Sequence, residues 1–533
     1  MRKKKAYLEM LLKDEIVEGV AERPFISRKA RTSLYEIVQA LHHAAKNPDI
    51  SALALSIEPL NTGWARLSDL RRAISKFRRS GKQVYCFLQE GGNAEYYLAS
   101  ASDRVFMPPA AHLHLVGLSA ETFFFRNVLE RFGIEAELFS MGEYKSAAEM
   151  FTRMGMSEPA REQLERILDD SFEELCRALE DRGFSREDST ALMDDGPYTA
   201  REALARKLVD GICYQDELAG KMEEILGKKA RAVAAARYRA GDGLVRRILT
   251  FRRSRIAFID VTGHIETGES RRNQAGREMA GADTIRKFLD HAERSKITRA
   301  IIIRIDSPGG SGIASDLIWR KISIVNKKKP VVVSFGDVAA SGGYYIAAPA
   351  GRIIAEPTSI TGSIGVLAGK FVARGLIENL GIRREAIVRG KHAGYDSAFT
   401  KFTPDEEEKL RQQLSEFYRE DFVKKVAEGR RISEQEVDEA GRGRVWTGKR
   451  AVENRLVDEL GGLMEAVQRA RESARIPEHA KVRVVHYYRH RKLWERLMPG
   501  MRPPLLALDL IERMERLATQ GILLEMPFSI RIR

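Results

Sequence analysis

The sequence predicts an α/β protein made of two tandem domains of one fold, each carrying a parallel sheet. Two observations predict it. Apolar runs rich in β-branched residues alternate with amphipathic stretches along the chain, and the first half repeats in the second at an offset of 247 to 248 residues. Tyr96-Tyr97-Leu98-Ala99 answers Tyr344-Tyr345-Ile346-Ala347, Gly133-Ile134 answers Gly381-Ile382, and Leu208-Val209-Asp210 answers Leu456-Val457-Asp458. A repeat of that period in a chain of 533 residues implies two domains.

In order, the divisions are a first domain over 1–240, a basic linker over 241–255, a second domain over 256–478 and an extension over 479–533. Similar segments open the two copies, Leu11 to Gly19 matching Ile256 to His264. Ser51 to Ile57 reads as an apolar strand, Leu67 to Phe77 as an amphipathic helix and Gln83 to Leu88 as the next strand. Strand followed by helix followed by strand argues parallel pairing. The second copy offers strands over Ala300 to Asp306 and Pro330 to Phe335. A long helix closes each copy. One begins near Ser157-Glu158-Pro159 and the other near Thr403-Pro404-Asp405, where a hydroxyl residue precedes a proline in the first turn. In the extension, Trp494 to Met501 and Leu505 to Leu517 read as amphipathic helices, giving a helical tail. They pack on the protein or a neighbouring subunit, or lie on a membrane surface as basic amphipathic helices.

Composition narrows the function classes. The net charge is +14, but the arginines are scattered and no nucleic-acid motif accompanies them. Nucleic acid is therefore not an expected partner; the charge reads first as a solvated surface and second as a peripheral contact with anionic lipid. Three cysteines, Cys86, Cys176 and Cys213, form no metal-type pair and suit a reducing compartment. The basic start Met1-Arg2-Lys3-Lys4-Lys5 leads to Lys13, Asp14 and Glu15 and not to a signal-peptide core. No run approaches the ~18 apolar residues of a spanning helix. The expected location is cytoplasmic or peripheral to a membrane. No metal or other cofactor is expected.

The chemistry centres on Asp337-Val338-Ala339-Ala340-Ser341-Gly342-Gly343, which follows a buried strand and leads into a small, helix-compatible stretch. A serine at such a turn suits a nucleophile, since small neighbours let a second chain approach its hydroxyl. Upstream, Ser307-Pro308-Gly309-Gly310-Ser311 frees its backbone at the glycines. Gly309 or Gly310 supplies one N–H of an oxyanion hole and Gly342 the other. Downstream lies Pro357-Thr358-Ser359-Ile360-Thr361-Gly362-Ser363-Ile364-Gly365. In this order the three motifs resemble the signal peptide peptidase A (protease IV) peptidases, family S49, in their long duplicated form. That resemblance implies crotonase/Clp-protease-like domains.

The repeat bears on the base. Opposite Ser341 the first copy has Asn93, and its Ser-Pro-Gly-Gly loop is replaced by Glu58 to Gly63. Lys145, in Gly142-Glu143-Tyr144-Lys145-Ser146-Ala147, resembles the family's catalytic lysine, and the second copy has Ala393 at that place. Each copy has lost what the other keeps. One site, pairing Lys145 with Ser341 across the domain interface, is expected. Lys145 must be neutral to act as base, which burial favours. Among the ten histidines His392 is the nearest rival. By resemblance, Ser363 orients the lysine amine, with Gly310 and Gly342 holding the oxyanion. The resemblance also implies signal-peptide and other unfolded or hydrophobic peptide substrates, a homotetramer, and an N-terminal membrane anchor that this sequence does not show. A crotonase-type acyl-CoA enzyme and a non-catalytic scaffold are the alternatives.

Overall fold

The computed structural model describes residues 6–19, 32–226, 231–235, 254–273, 276–478, 480–488, 514 and 521–526. The first half is laid on a six-stranded sheet. Its main strands are β1 (Ala6–Asp14), β2 (Ile50–Leu60), β3 (Gln83–Leu88) and β4 (Arg104–Met107), all parallel, in spatial order β4-β3-β2-β1. Helix α1 (Trp64–Arg79) carries the chain from β2 to β3, and α2 (Asn93–Ala99) carries it from β3 to β4. α1 buries Leu67, Leu70, Ile74 and Phe77 on one face and leaves most of its arginines and lysines at the boundary with solvent. Beyond this sheet come β5 (Glu135–Met141) and the long helix α3 (Glu158–Glu180). Ser157 caps α3, its Oγ accepting the Ala160 N–H, and Pro159 sits in the first turn where no N–H is needed.

The second half repeats the plan. It contains β6 (Arg255–Thr262), β7 (Thr298–Ser307), the short β8 (Gly309–Ser311), α4 (Gly312–Asn326), β9 (Val331–Ala340), α5 (Gly342–Ala347), β10 (Ile360–Gly362), β11 (Val366–Val372), α6 (Pro404–Glu416) and β12 (Val445–Thr447). Six strands of an eight-stranded sheet run β12-β10-β9-β7-β6-β13, where β13 is Arg483–Tyr487, and the strands Arg352–Ala355 and Glu459–Leu460 branch from β9. Its central pairs are parallel, and only the β10–β12 edge is antiparallel. The repeat extends to single hydrogen bonds. Tyr96 Oη donates to Leu208 O at 2.8 Å and Tyr344 Oη to Leu456 O at 2.9 Å. Asp210 accepts the Val105 N–H at 2.8 Å and Asp458 the Ile353 N–H at 2.7 Å.

The halves share a core. Leu53, Leu55 and Phe77 belong to one apolar cluster with Ile256, Phe258, Ile302, Val332 and Leu463. A third, seven-stranded sheet stitches them together at one end. There β5 of the first half pairs antiparallel with β11 of the second, from Met141 opposite Val366 to Glu135 opposite Val372. The same sheet holds β14 (Leu523–Glu525), between β8 and β11.

The described parts of the extension, Arg483–Tyr487 and Leu523–Glu525, are strands. The helices expected over 494–501 and 505–517 lie outside the described residues apart from Met514, as does the basic linker up to residue 253. Among the described residues no helix is long and apolar enough to cross a membrane.

Candidate active site

β9 ends at Ala340 and α5 begins at Gly342, so Ser341 occupies the corner between them. Its backbone has φ 54° and ψ −113°, in the left-handed half of conformational space. For a residue with a side chain this costs about 1–3 kcal/mol and persists only where the surroundings enforce it. Here the Ser341 N–H donates to Gly362 O and the Tyr345 N–H donates to Ser341 O, each at 2.8 Å. The corner is also crowded. A Cβ on Gly342 would lie 2.7 Å from Ser315 Oγ and 3.2 Å from the Gly310 nitrogen, so the small residues here are required by contact.

Lys145 reaches this corner from the other half. The β5–β11 ladder brings Met141 beside Val366, and the chain then turns through Gly142 to Lys145. The turn is pinned by its own bond from Lys145 N–H to Gly142 O at 3.0 Å and by the Tyr144 N–H donating to Arg442 O at 2.8 Å. The Arg444 guanidinium lies over the Tyr144 ring, 3.8 Å from its centre, and pairs with Glu162 at 3.2 Å. Lys145 Nζ ends 2.8 Å from Ser341 Oγ, 2.9 Å from Ser363 Oγ and 3.1 Å from Ser363 O. Lys145 is 2% exposed, and both serines are fully buried. Burial pushes the amine down to about 7 from its usual 10.5, against a smaller upward pull from the Glu525 carboxylate. Lys145 forms no ion pair among the described residues.

The three contacts suit an uncharged amine, which offers two N–H donors and one lone pair. Ser363 O can only accept, so one N–H goes there. The second can serve Ser363 Oγ, which leaves the lone pair for the Ser341 hydroxyl proton. Ser363 is itself held in left-handed geometry, φ 52°, with its N–H on Arg444 O at 2.7 Å.

Gly309 and Gly310 take φ of 108° and 149°, values open to glycine. They line one side of a slot whose other side is β11, and β14 lies in that slot. Gly309 faces Glu525, Gly310 faces Leu524 and Ser311 faces Leu523, antiparallel, while Leu367 faces Leu523 from β11. The pairing continues at both ends, Met526 N–H to Pro308 O at 2.9 Å and Gly312 N–H to Ile522 O at 3.0 Å. A Cβ on Gly309 would fall 1.9 Å from Leu524 O and 2.8 Å from the Gly342 nitrogen. The Leu524 carbonyl therefore lies where the β8 loop and the Ser341 corner meet. Leu523 packs with Leu129, Phe151 and Phe371, and Met526 packs with Leu164, Ile167 and Val445.

Of the other sequence candidates, Asn93 stands at the start of α2 and is consumed by structure. Its Oδ1 accepts the Val116 N–H at 3.1 Å and its Nδ2 donates to Gly117 O at 2.7 Å. Ala393 sits in an exposed turn. The His392 ring faces Asp405, Glu406 and Lys409 rather than Ser341. Among the described residues no group of His, Cys, Asp or Glu is placed to hold a metal ion. Sequence reasoning missed the stretch Arg442-Gly443-Arg444. A Cβ on Gly443, at φ 82°, would lie 2.4–2.6 Å from the backbone and Cβ of Lys145. Two glycines alternating with basic residues over Gly441 to Arg444 were the available signal of a close backbone approach.

Residues 76–229 and 323–477 each match peptidase family S49. The chain is 34% identical to the chloroplastic serine protease SPPA of Arabidopsis thaliana over 95% of its own length and 75% of that protein's. It is 30% identical to Protease 4 of Haemophilus influenzae over 83% of its length and 73% of that protein's. Among solved structures, the 1510-N membrane-bound stomatin-specific protease aligns with 45% of this chain and 99% of its own at 15% identity and a TM-score of 0.28. With two matched copies and relatives similar along nearly the whole chain, this protein belongs to peptidase family S49, in the long form that carries the family's domain twice.

Proposed function

We propose that the chain is a serine endopeptidase whose nucleophile is Ser341 and whose general base is Lys145. The carrying observation is the buried 2.8 Å contact between Lys145 Nζ and Ser341 Oγ, made by residues from opposite halves. The neutral amine takes the hydroxyl proton as Ser341 Oγ attacks the peptide carbonyl carbon. Negative charge gathers on the carbonyl oxygen, where Gly310 and Gly342 N–H groups stabilise it. The Lys145 ammonium then protonates the departing amine, and an acyl-enzyme remains. Lys145, neutral again, takes a proton from water, the hydroxide attacks the ester, and the acid leaves as Ser341 recovers its proton. Ser363 keeps the amine aimed at Ser341.

The substrates are extended, apolar peptides, such as signal peptides after their release and unfolded chain segments. Supporting this, the slot between β8 and β11 pairs with a strand through backbone bonds and buries its leucines. The chain works as a homotetramer, in the cytoplasm or at the membrane periphery. For assembly, the support is the one-sided use of the repeat. β5 and β11 pair within the chain, but their counterparts at 383–389 and 118–124 form no strand among the described residues beyond a single bridge at Ala120, and Ile387 and Phe123 there are 89% and 55% exposed. A second copy, offering the complementary counterpart, fits each of them.

The test is hydrolysis of a fluorogenic apolar peptide together with labelling by a fluorophosphonate probe. Ser341→Ala and Lys145→Ala each lower kcat by at least ~10³-fold with unchanged folding, and Ser341→Ala also abolishes labelling. Robust hydrolysis by Lys145→Ala would remove the lysine from the mechanism.

A further inference from the structure

The mechanism needs the Ser307–Gly310 loop and the Ser341 corner held in fixed relation, since one supplies an oxyanion donor and the other the nucleophile. Each is preceded by an aspartate. Asp306 is the last residue but one of β7, and Asp337 lies in β9 four residues before Ser341. Both aspartates meet one side chain from the other half, Arg66 in the first turn of α1. Arg66 Nη2 donates to Asp306 Oδ2 at 2.6 Å, and its Nε lies 2.7 Å from Asp337 Oδ2 as an ion pair without hydrogen-bond geometry. The Arg66 backbone N–H adds a bond to Asp337 Oδ1 at 3.0 Å. Arg66 is itself anchored in the first half, Nη1 donating to Ile16 O at 2.8 Å and Nε lying 3.3 Å from Glu18.

The contact is built for this arginine. A Cβ on Gly63 would fall 2.2 Å from the Asp337 carboxylate, so the chain beside Arg66 has been cleared to let that carboxylate in. The remaining oxygen of Asp306 accepts the Val338 N–H at 3.1 Å, tying the two strands to each other. Glu18, next in the cluster, also clamps the buried Arg304 of β7 at 2.8 Å.

We propose that Arg66 is a positioning residue for hydrolysis: it sets the spacing between the oxyanion loop and the nucleophile by gripping the aspartate at the root of each. The guanidinium holds Asp306 by a hydrogen bond and Asp337 by charge while its third nitrogen stays on Ile16 O, and a lysine ammonium cannot span all three places. The first half then contributes two things to the site, the base and the strut. This rests on the Ser341 reading above, but its experiment compares hydrolysis rates and stands apart from probe labelling.

The experiment measures kcat, KM and Tm for Arg66→Gln, Arg66→Lys and Arg71→Gln in the full chain. Arg71 is the control: it lies in the same helix, is buried, and bonds Tyr97 O, Ser100 and Asp181 within the first half. Arg66→Gln is expected to lower kcat about 10–100-fold with KM changed less than about twofold, the signature of misplaced groups rather than lost binding. Arg66→Lys recovers part of kcat. Arg71→Gln lowers Tm and leaves kcat within about twofold. Should Arg66→Gln not fold, Arg66→Lys alone decides, through a kcat below that of Arg71→Gln. Equal kcat for the Arg66 and Arg71 variants, once corrected for folded fraction, would overturn the proposal.

Discussion

Lys145 is a cation-forming group held where a cation is costly, and its pH behaviour follows. If the neutral amine is the active form, kcat/KM climbs about tenfold per pH unit below a midpoint near 7 and levels off above it. Replacing Glu525 with Gln removes a charge that favours the ammonium, so the midpoint moves to lower pH. A pH–rate series on the two proteins checks both. Stability carries the opposite face of the same shift. Between about 7 and 10.5 the unfolded chain binds a proton at this lysine that the folded chain does not. Folding stability therefore rises with pH through that window, by up to roughly 4–5 kcal/mol in total. Tm plotted against pH has a smaller upward slope in Lys145→Met than in the wild type. At this scale the sequence was informative where chemistry repeats or fails to repeat. Ser341 and Lys145 were singled out by their motifs and by Asn93 and Ala393 standing opposite them. Ser363 was reached only through resemblance, although Leu115 stands opposite it at the same offset.

Strands and helices with regular burial were legible, and interruptions were not. Gln83–Leu88 falls where periodicity places it, and the caps of α3 and α6 sit on Ser157 and Thr403 as the hydroxyl–proline pattern requires. The sequence reading gives β9 only Pro330 to Phe335. The strand runs on to Ala340 because tertiary partners absorb the charge: Arg66 takes the Asp337 carboxylate, and Asp306 takes the Val338 N–H. The opening strands were matched out of step. Leu8 pairs with Leu53 and Ala257 pairs with Ile301, so Leu8 answers Ala257, whereas the sequence match set Leu11 against Ile256. Two apolar strands slide past each other in sequence with little penalty, and only the neighbour in the sheet fixes the register. The 441–444 loop escaped notice for a related reason, since its role is to be thin. Gly443→Ala should push the Lys145 turn aside by a large fraction of an ångström and lower kcat about 10²-fold, with KM little changed; steady-state kinetics measures it.

The whole chain is a duplication used asymmetrically. One β5–β11 junction is closed internally and builds a site; the counterparts at 383–389 and 118–124 stay available for the neighbour that the proposed assembly supplies. Ile387→Asp is expected to dissociate the oligomer in native mass spectrometry or light scattering. The separated chain keeps measurable hydrolysis, because Lys145, Ser341 and Ser363 all belong to one protomer. None of this was visible in composition: the net charge of +14 describes the solvated surface and not the halves' mutual fit. β14 has a consequence of its own. A peptide arriving at the β8 edge meets an incumbent that belongs to the same chain. Entry is then an exchange, and the apparent KM includes the eviction of Leu523 and Leu524 from their pockets. A chain ending at Gln520, or one carrying Leu524→Asp, shows a lower KM, and a synthetic peptide spanning residues 520–528 competes with substrate. The expected threshold for substrate entry is thus set by a strand of the protein's own chain.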